Sequence, residues 1–343
     1  MIVYNYTIYI KYIAFAVIAI SLPFIALIVL KFFQKFSAGK VRSLVCLSGK
    51  TAIVTGAGSG IGYETALHLA SRGCRVILAD RKEAAKAKAK IIAITNNSNI
   101  ETKILDLTSL QSVRKFAKEI NSTEERLDIL INNARVLSNG NKHTDDGLHS
   151  TMQVNHFGPF LLTHLLTDLL KKSAPSRIVF VSSALAFCSN LNLETLNYPA
   201  DHPLSIFRQG IIYANSKLAN VITANIFAEK LKESGVTSNS LHPGLVNLYL
   251  FRKSARFDGL KTVYRLIRYF FLYIYGKVSK TPEEGAQTTL HLALANSVKD
   301  ITGKHFWDCR VFPTPPGAWN KKFCDDIWEA SEKLVNLKPE EKL

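Results

Sequence analysis

The first fifty residues contain no Asp and no Glu, although they carry six Lys or Arg. A second stretch, 251–280, holds eight Lys or Arg against one acid, and together the two account for most of the formal net charge of +16. Such an excess can serve nucleic acid, but no nucleic-acid-binding motif accompanies it. Both stretches are rich in aliphatic and aromatic residues, and basic charge mixed with apolar bulk suits a membrane surface. The expected partner is therefore a lipid bilayer and not nucleic acid. Cysteine is sparse: Cys46, Cys74, Cys188, Cys309 and Cys324 are odd in number, widely spaced and never in a C-x-x-C. That excludes a disulfide framework and a zinc site, and it suits a reducing compartment with no metal cofactor. Internal repeats and low-complexity linkers are lacking too, except for "KEAAKAKAK", which reads as an exposed helix.

Charge is also missing from Tyr12 to Leu30, "YIAFAVIAISLPFIALIVL". As a helix rising ~1.5 Å per residue this run would reach about 29 Å, close to the hydrocarbon thickness of a bilayer. Pro23 is tolerable in such a helix. A cleaved signal peptide would have a shorter apolar core and a small-residue cleavage site, whereas "KFFQKF" follows here. The expectation is an uncleaved single-pass anchor within residues 1–36. Lys31, Lys35, Lys40 and Arg42 follow the run and only Lys11 closely precedes it, which places the bulk of the chain in the cytosol.

The rest of the 343 residues, 47% of the chain being hydrophobic, can bury one sizeable core. "TAIVTG", "RVILAD", "TKILDL", "LDILINN" and "RIVFVSS" are short, near-continuous apolar runs. Helix-length segments near 60–72, 82–95, 109–121 and 148–172 separate them. Continuous apolar strands alternating with helices predict an α/β fold, a parallel sheet covered on both faces. The first such unit is punctuated by Gly56, Gly60 and Gly62 between strand and helix. Glycines there let the backbone approach a pyrophosphate, and the helix offers its free N–H groups. The next strand ends at Asp80, where a carboxylate can bind ribose hydroxyls, although a strand-end cap is the plainer reading. Arg81 follows and could bind a 2′-phosphate, so the adjacent pair leaves NAD(H) and NADP(H) both open.

The spacing Y-x-x-x-K occurs three times, at Tyr213/Lys217, Tyr249/Lys253 and Tyr273/Lys277. Residues four apart share a helix face, so each pair could touch, and spacing alone singles out none. Order along the chain does more. "TGAGSGIG", "DL" at Asp106–Leu107, "NNA" at Asn132–Ala134, "VNHFGPFLLT", "IVFVSS", "YANSK" and "HPG" at His242–Gly244 follow one another in a sequence that resembles the short-chain dehydrogenase/reductase superfamily. The segments "VNHFGPFLLTHLL", "SAPSRIVFVSS", "YANSKLANV" and "EEGAQTTLHLAL" are similar to its retinol dehydrogenase branch, whose members are typically anchored at the N-terminus.

The resemblance implies a Rossmann-type, doubly wound, seven-stranded parallel sheet in one catalytic domain, over about 45–335, with a lid over about 247–280. It assigns catalysis to Ser183, Tyr213, Lys217 and Asn155, and makes Tyr249 and Tyr273 lid aromatics. The cofactor residues it implies are Gly56, Ser59, Gly60, Ile61, Gly62, Asp80, Arg81, Asp106, Leu107, Asn133, Ala134, Lys217, Pro243, Gly244 and Val246. Asp106 would meet the adenine, and Asn155 would hold a water leading from Lys217. The chemistry would be hydride transfer between NAD(P)(H) and a lipophilic alcohol or aldehyde, with Tyr213 as acid/base. A tyrosine of pKa ~10 needs about 4 kcal/mol of help to be half ionised at neutral pH. An ammonium about 5 Å away at an effective dielectric near 20 supplies roughly 3 kcal/mol of it.

Retinoids lead among substrates, with fatty aldehydes, isoprenoid alcohols and steroids open; the implied membrane is the endoplasmic reticulum. The stretch 184–212 would wall the pocket. The basic, aromatic "LKTVYRLIRYFFLYIYGK" would lie either on the bilayer or on the domain. Two departures stand out. Arg135 replaces the glycine of "NNAG", its guanidinium pointing either away from the cleft or toward the nicotinamide end. Val246, Asn247 and Leu248 offer no hydroxyl after "HPG". These departures leave a second reading, an anchored dinucleotide-binding protein with little or no turnover.

Overall fold

The computed structural model describes residues 38–343 except 83, 138–139, 200–204, 248–275 and 277–278, and beyond these only Ile25 and Val29. The anchor run is thus outside the described residues apart from two isolated positions. Tyr249, Lys253, Tyr273, Lys277 and nearly all of 248–278 are outside them as well. Among the described residues no helix is long and apolar enough to cross a membrane.

The strands are β1 (Thr51–Thr55), β2 (Arg75–Asp80), β3 (Ile100–Ile104), β4 (Ile129–Asn132), β5 (Ser176–Val181), β6 (Val236–His242), β7 (His305–Trp307) and β8 (Arg310–Phe312). They form one sheet in the order β3-β2-β1-β4-β5-β6-β7-β8. All pairings are parallel except β7 with β8. Among the described residues the expected seven strands are therefore joined by an eighth, a short antiparallel hairpin arm. Its turn places Asp308 and Cys309 at positive φ, 48° and 61°. Nothing in the apolar pattern marks it, because all three residues of β8 are exposed.

The longer helices among the described residues are α1 (Gly60–Ala70), α2 (Ala85–Thr95), α3 (Leu110–Thr123), α4 (Gly158–Lys172), α5 (Ile206–Lys230), α6 (Pro282–Leu294) and α7 (Lys321–Leu334). A turn at Ser150–Met152 and a π-helical turn at Gln153–Phe157 lead into α4.

Side chains alternate across a strand, and here both sets are buried. Ile53, Ile77, Leu130, Ile178 and Phe180 pack with α3, α4, α5 and α7 on one face. Ala52, Val54, Val76, Leu78, Ile131 and Val179 pack with α1, α2 and α6 on the other. Two covered faces are why the strands read as unbroken apolar runs. The run "KEAAKAKAK" needs little of this core: α2 buries only Ala87 and Ile91.

Beyond β1 the chain winds outward to β2 and β3, then returns to place β4 on the other side of β1. The strand order reverses between β1 and β4, and a crevice opens there at the carboxyl ends of the strands.

Candidate active site

A cleft of about 410 Å³ lies at this reversal. Gly56, Ser59, Gly60, Ile61 and Gly62 line it, with Asp80 and Arg81 after β2, Asp106 and Leu107 after β3, and Asn133, Ala134 and Arg135 after β4. Eleven of the residues implied for cofactor binding thus share one surface. Pro243, Gly244, Val246 and Lys217 do not line it. Val246 is instead buried against Gly285 of α6, next to Ile61. Asn247, noted in the sequence only for lacking a hydroxyl, lines the cleft in its place.

Local bonding explains the shape of this wall. Thr55 Oγ1 at the end of β1 accepts from the N–H groups of both Asn133 and Ala134, each at 2.9 Å. Asn133 Nδ2 returns a bond to Thr55 O at 2.8 Å. Gly62 sits so close behind this join that a Cβ would lie 2.4 Å from Gly56 O. The Asp80 carboxylate accepts from Gly58 N–H at 3.1 Å, and Asp106 from Thr108 N–H and Oγ at 2.9 and 2.7 Å.

The chemistry of the cleft suits a dinucleotide. Ser59 caps α1 with extended backbone but makes no side-chain cap bond, and no acid lies in the first turn. Unsatisfied N–H groups and the positive helix end therefore face the cleft, as a pyrophosphate requires. Among the described residues no group of three His, Cys, Asp or Glu could hold a metal.

The Tyr/Lys pair lies at the far end, on α5. Tyr213 is 4% exposed and Lys217 1%. Lys217 Nζ donates to Val181 O at 2.9 Å and stands 5.6 Å from the centroid of the Tyr213 ring. Ser182 Oγ donates to Lys217 O at 2.7 Å. These bonds lace the end of β5 to one turn of α5, with Ser183 as the next residue of the strand end. Ser183 begins a short 3₁₀ turn, its hydroxyl accepting from Leu185 N–H at 3.2 Å. Burial drives the Lys217 ammonium well below its ordinary pKa, and Arg135 pushes the same way.

Asn155 is fully buried in the π-helical turn, and its amide is heavily engaged. Oδ1 accepts from Val136 N–H at 2.8 Å, and Nδ2 donates to Val136 O at 2.9 Å and to Ser216 Oγ at 3.0 Å. It clamps the chain after β4 to α5. Arg135 bridges the two halves of the site: it lines the cleft, and its Nη1 is 3.5 Å from the Tyr213 hydroxyl.

Several supporting residues escaped the sequence reading. His242 Nδ1 accepts from Ala184 N–H at 3.0 Å, fixing the turn that Ser183 begins. Burial, followed by His305, Lys280 and Arg135, pushes its pKa down to about 3, so the ring is neutral and can accept. Beyond it, Lys280 and Asp308 form a buried ion pair. "HPG" hinted at His242, whereas the ion pair joins residues that no local pattern connects. An aromatic chain runs outward from His242 to Trp307 at 4.4 Å, then Phe312 at 4.9 Å and Phe187 at 6.1 Å. Phe187 and Phe312 remain 39% and 37% exposed beside Leu185 and Val311, also exposed.

Residues 50–200 match the family model of the short chain dehydrogenases. Over 91% of the chain and 80% of the relative, the sequence is 43% identical to bovine dehydrogenase/reductase SDR family member 13. It is 40% identical to mouse retinol dehydrogenase 11 over 93% of the chain and 96% of that protein. The chain belongs to the short-chain dehydrogenase/reductase family. Within it, the chain falls in the retinol dehydrogenase-like branch and is an NAD(P)-dependent oxidoreductase. A short chain dehydrogenase from Shigella flexneri solved in complex with NADP is similar in structure, with a TM-score of 0.58 at 25% identity. That match covers 77% of this chain and 98% of the other.

Proposed function

We propose that this dehydrogenase interconverts a lipophilic alcohol and its carbonyl compound, retinoid-like in character, at a site formed by Ser183, Tyr213 and Lys217. The observation that carries this reading is the lacing of the β5 end to the Tyr213–Lys217 turn at one end of the dinucleotide cleft. The dinucleotide, when bound, supplies or accepts the hydride.

The glycine loop and the N-terminus of α1 hold its phosphates, Asp80 or Arg81 its adenosine ribose, and Asp106 its base. Ser183 donates to the substrate oxygen and orients it. Tyr213 passes a proton to that oxygen in reduction and takes it back in oxidation. Lys217, which burial and Arg135 push toward its neutral form, takes up the stabilising charge as negative charge develops on the phenolic oxygen and, with Asn155 close by, keeps this end of the site connected to proton exchange. Pro243, Gly244 and Val246 do not line the cleft, and no contact with the dinucleotide is assigned to them.

The exposed aromatic and aliphatic surface around Phe187 and Phe312 adjoins the Ser183 turn and supports an apolar substrate. Relatives named as retinol dehydrogenases support a retinoid. The charge-free run 12–30 supports a membrane anchor that keeps the catalytic residues, within 45–335, on the cytosolic side, and the segment 247–280 a lid.

Tyr213→Phe tests the assignment. Turnover on a panel of lipophilic aldehydes and alcohols should fall by orders of magnitude, while dinucleotide binding stays within a few fold, since only the proton-carrying hydroxyl is lost. Retained turnover would remove Tyr213 from the chemistry.

A further inference from the structure

Hydride transfer as proposed above leaves the Arg135 side chain without a task. Its backbone is pinned on both sides: Asn133 and Ala134 are tied to Thr55, and Val136 is bonded twice to the Asn155 amide. Arg135 is not among the residues at positive φ, so arginine fits an ordinary backbone here. Held this way, the side chain enters the cleft and reaches the Tyr213 hydroxyl at 3.5 Å. Its charge is felt by Lys217 and His242, both of which it pushes toward the neutral form. Among the described residues no carboxylate lies within ion-pair distance of it. A guanidinium does not escape such a position by losing its proton. The reacting end of the cleft therefore carries a fixed positive charge.

We propose that Arg135 makes the cleft discriminate between the two redox forms of the dinucleotide, binding the reduced form more tightly and expelling the oxidised one. The inference rests on the dinucleotide reading of the cleft. Oxidised nicotinamide carries one more positive charge on its ring than reduced nicotinamide. Repulsion between unit charges across roughly 7–12 Å at an effective dielectric near 20 corresponds to about a ten- to fiftyfold difference in affinity. The equilibrium of the overall reaction is unaffected by the protein. The discrimination instead appears as fast release of oxidised cofactor after carbonyl reduction, and as strong inhibition by reduced cofactor during alcohol oxidation.

The test is calorimetric titration of NADP⁺, NADPH, NAD⁺ and NADH into the wild type, Arg135→Gln and Arg135→Lys, with a thermal melt of each protein. Arg135→Gln keeps bulk and loses charge. It should tighten oxidised forms about ten- to fiftyfold relative to reduced forms, while Arg135→Lys should retain most of the wild-type discrimination. Equal effects on both forms, or a neutral variant whose ratio is unchanged, would overturn the proposal and leave the dinucleotide reading standing. A folded wild type that binds none of the four would overturn that reading as well.

Discussion

Gly62→Ala adds one methyl group at a place where the fold has no room. The new Cβ would lie 2.4 Å from Gly56 O, 2.6 Å from Asn133 Nδ2 and 2.9 Å from Gly56 C, whereas ordinary contact begins at 3.4 Å. Something must retreat by about 1 Å, and both neighbours are tied. Gly56 N–H donates to Ala79 O at 2.8 Å, and Asn133 Nδ2 donates to Thr55 O at 2.8 Å. Overpacking of this kind costs about 1–3 kcal/mol, and a lost buried hydrogen bond about 1 kcal/mol more.

Because the strain falls on the loop that faces the phosphates, dinucleotide affinity should drop by roughly thirty- to several-hundredfold if the whole cost is felt in binding. Gly60→Ala supplies the comparison. No atom lies within 4 Å of its Cβ, but its φ of +60° penalises a side chain by about 1–2 kcal/mol through the backbone alone. Nicotinamide fluorescence titration and a thermal melt of both variants read the two effects. An affinity within twofold of wild type for Gly62→Ala, or a higher melting temperature than that of Gly60→Ala, would refute the argument.

Cofactor choice should respond to the pair after β2. Asp80→Ala removes a carboxylate that repels a 2′-phosphate and should shift kcat/KM toward NADP(H), whereas Arg81→Ala should shift it toward NAD(H); an unchanged ratio in both variants would displace these residues from the ribose. The charge-free run 12–30 should keep the protein in the membrane fraction after carbonate extraction, with the catalytic residues open to protease added from the cytosolic side. Release into the soluble fraction would remove the anchor.

The parts of this fold legible in sequence are those where burial and backbone geometry act locally. "TAIVT" and "RVILAD" read as strands because both faces are covered, and the glycine loop because its neighbours approach too closely for a side chain. Asp80 is placed by following a strand end, and Asp106 by the resemblance alone. What escaped depends on distant parts meeting. The π-helical turn at Gln153–Phe157 leaves an ordinary helical pattern on either side, and β8 has no buried face to announce it. His242 enters the sequence reading only as the first residue of "HPG", and only the fold brings its ring to Ala184. Arg135 was conspicuous as a substitution, but its direction followed from Thr55 and Asn155, 80 residues upstream and 20 downstream.

The chain leaves β6 and returns to α6 through a narrow base. Lys280 N–H donates to Leu245 O at 2.7 Å, and Asn247 N–H to Lys280 O at 2.8 Å. The ammonium of the same lysine is anchored in the ion pair with Asp308. Whatever lies between 248 and 279 therefore hangs from a stapled neck. Changing its length adds little closure entropy, since that cost grows only with the logarithm of the number of residues. The number of residues between these two bonds is thus decoupled from the rest of the fold: the sheet, the glycine loop and the tyrosine feel only the position of the neck, whatever the length of chain that it closes.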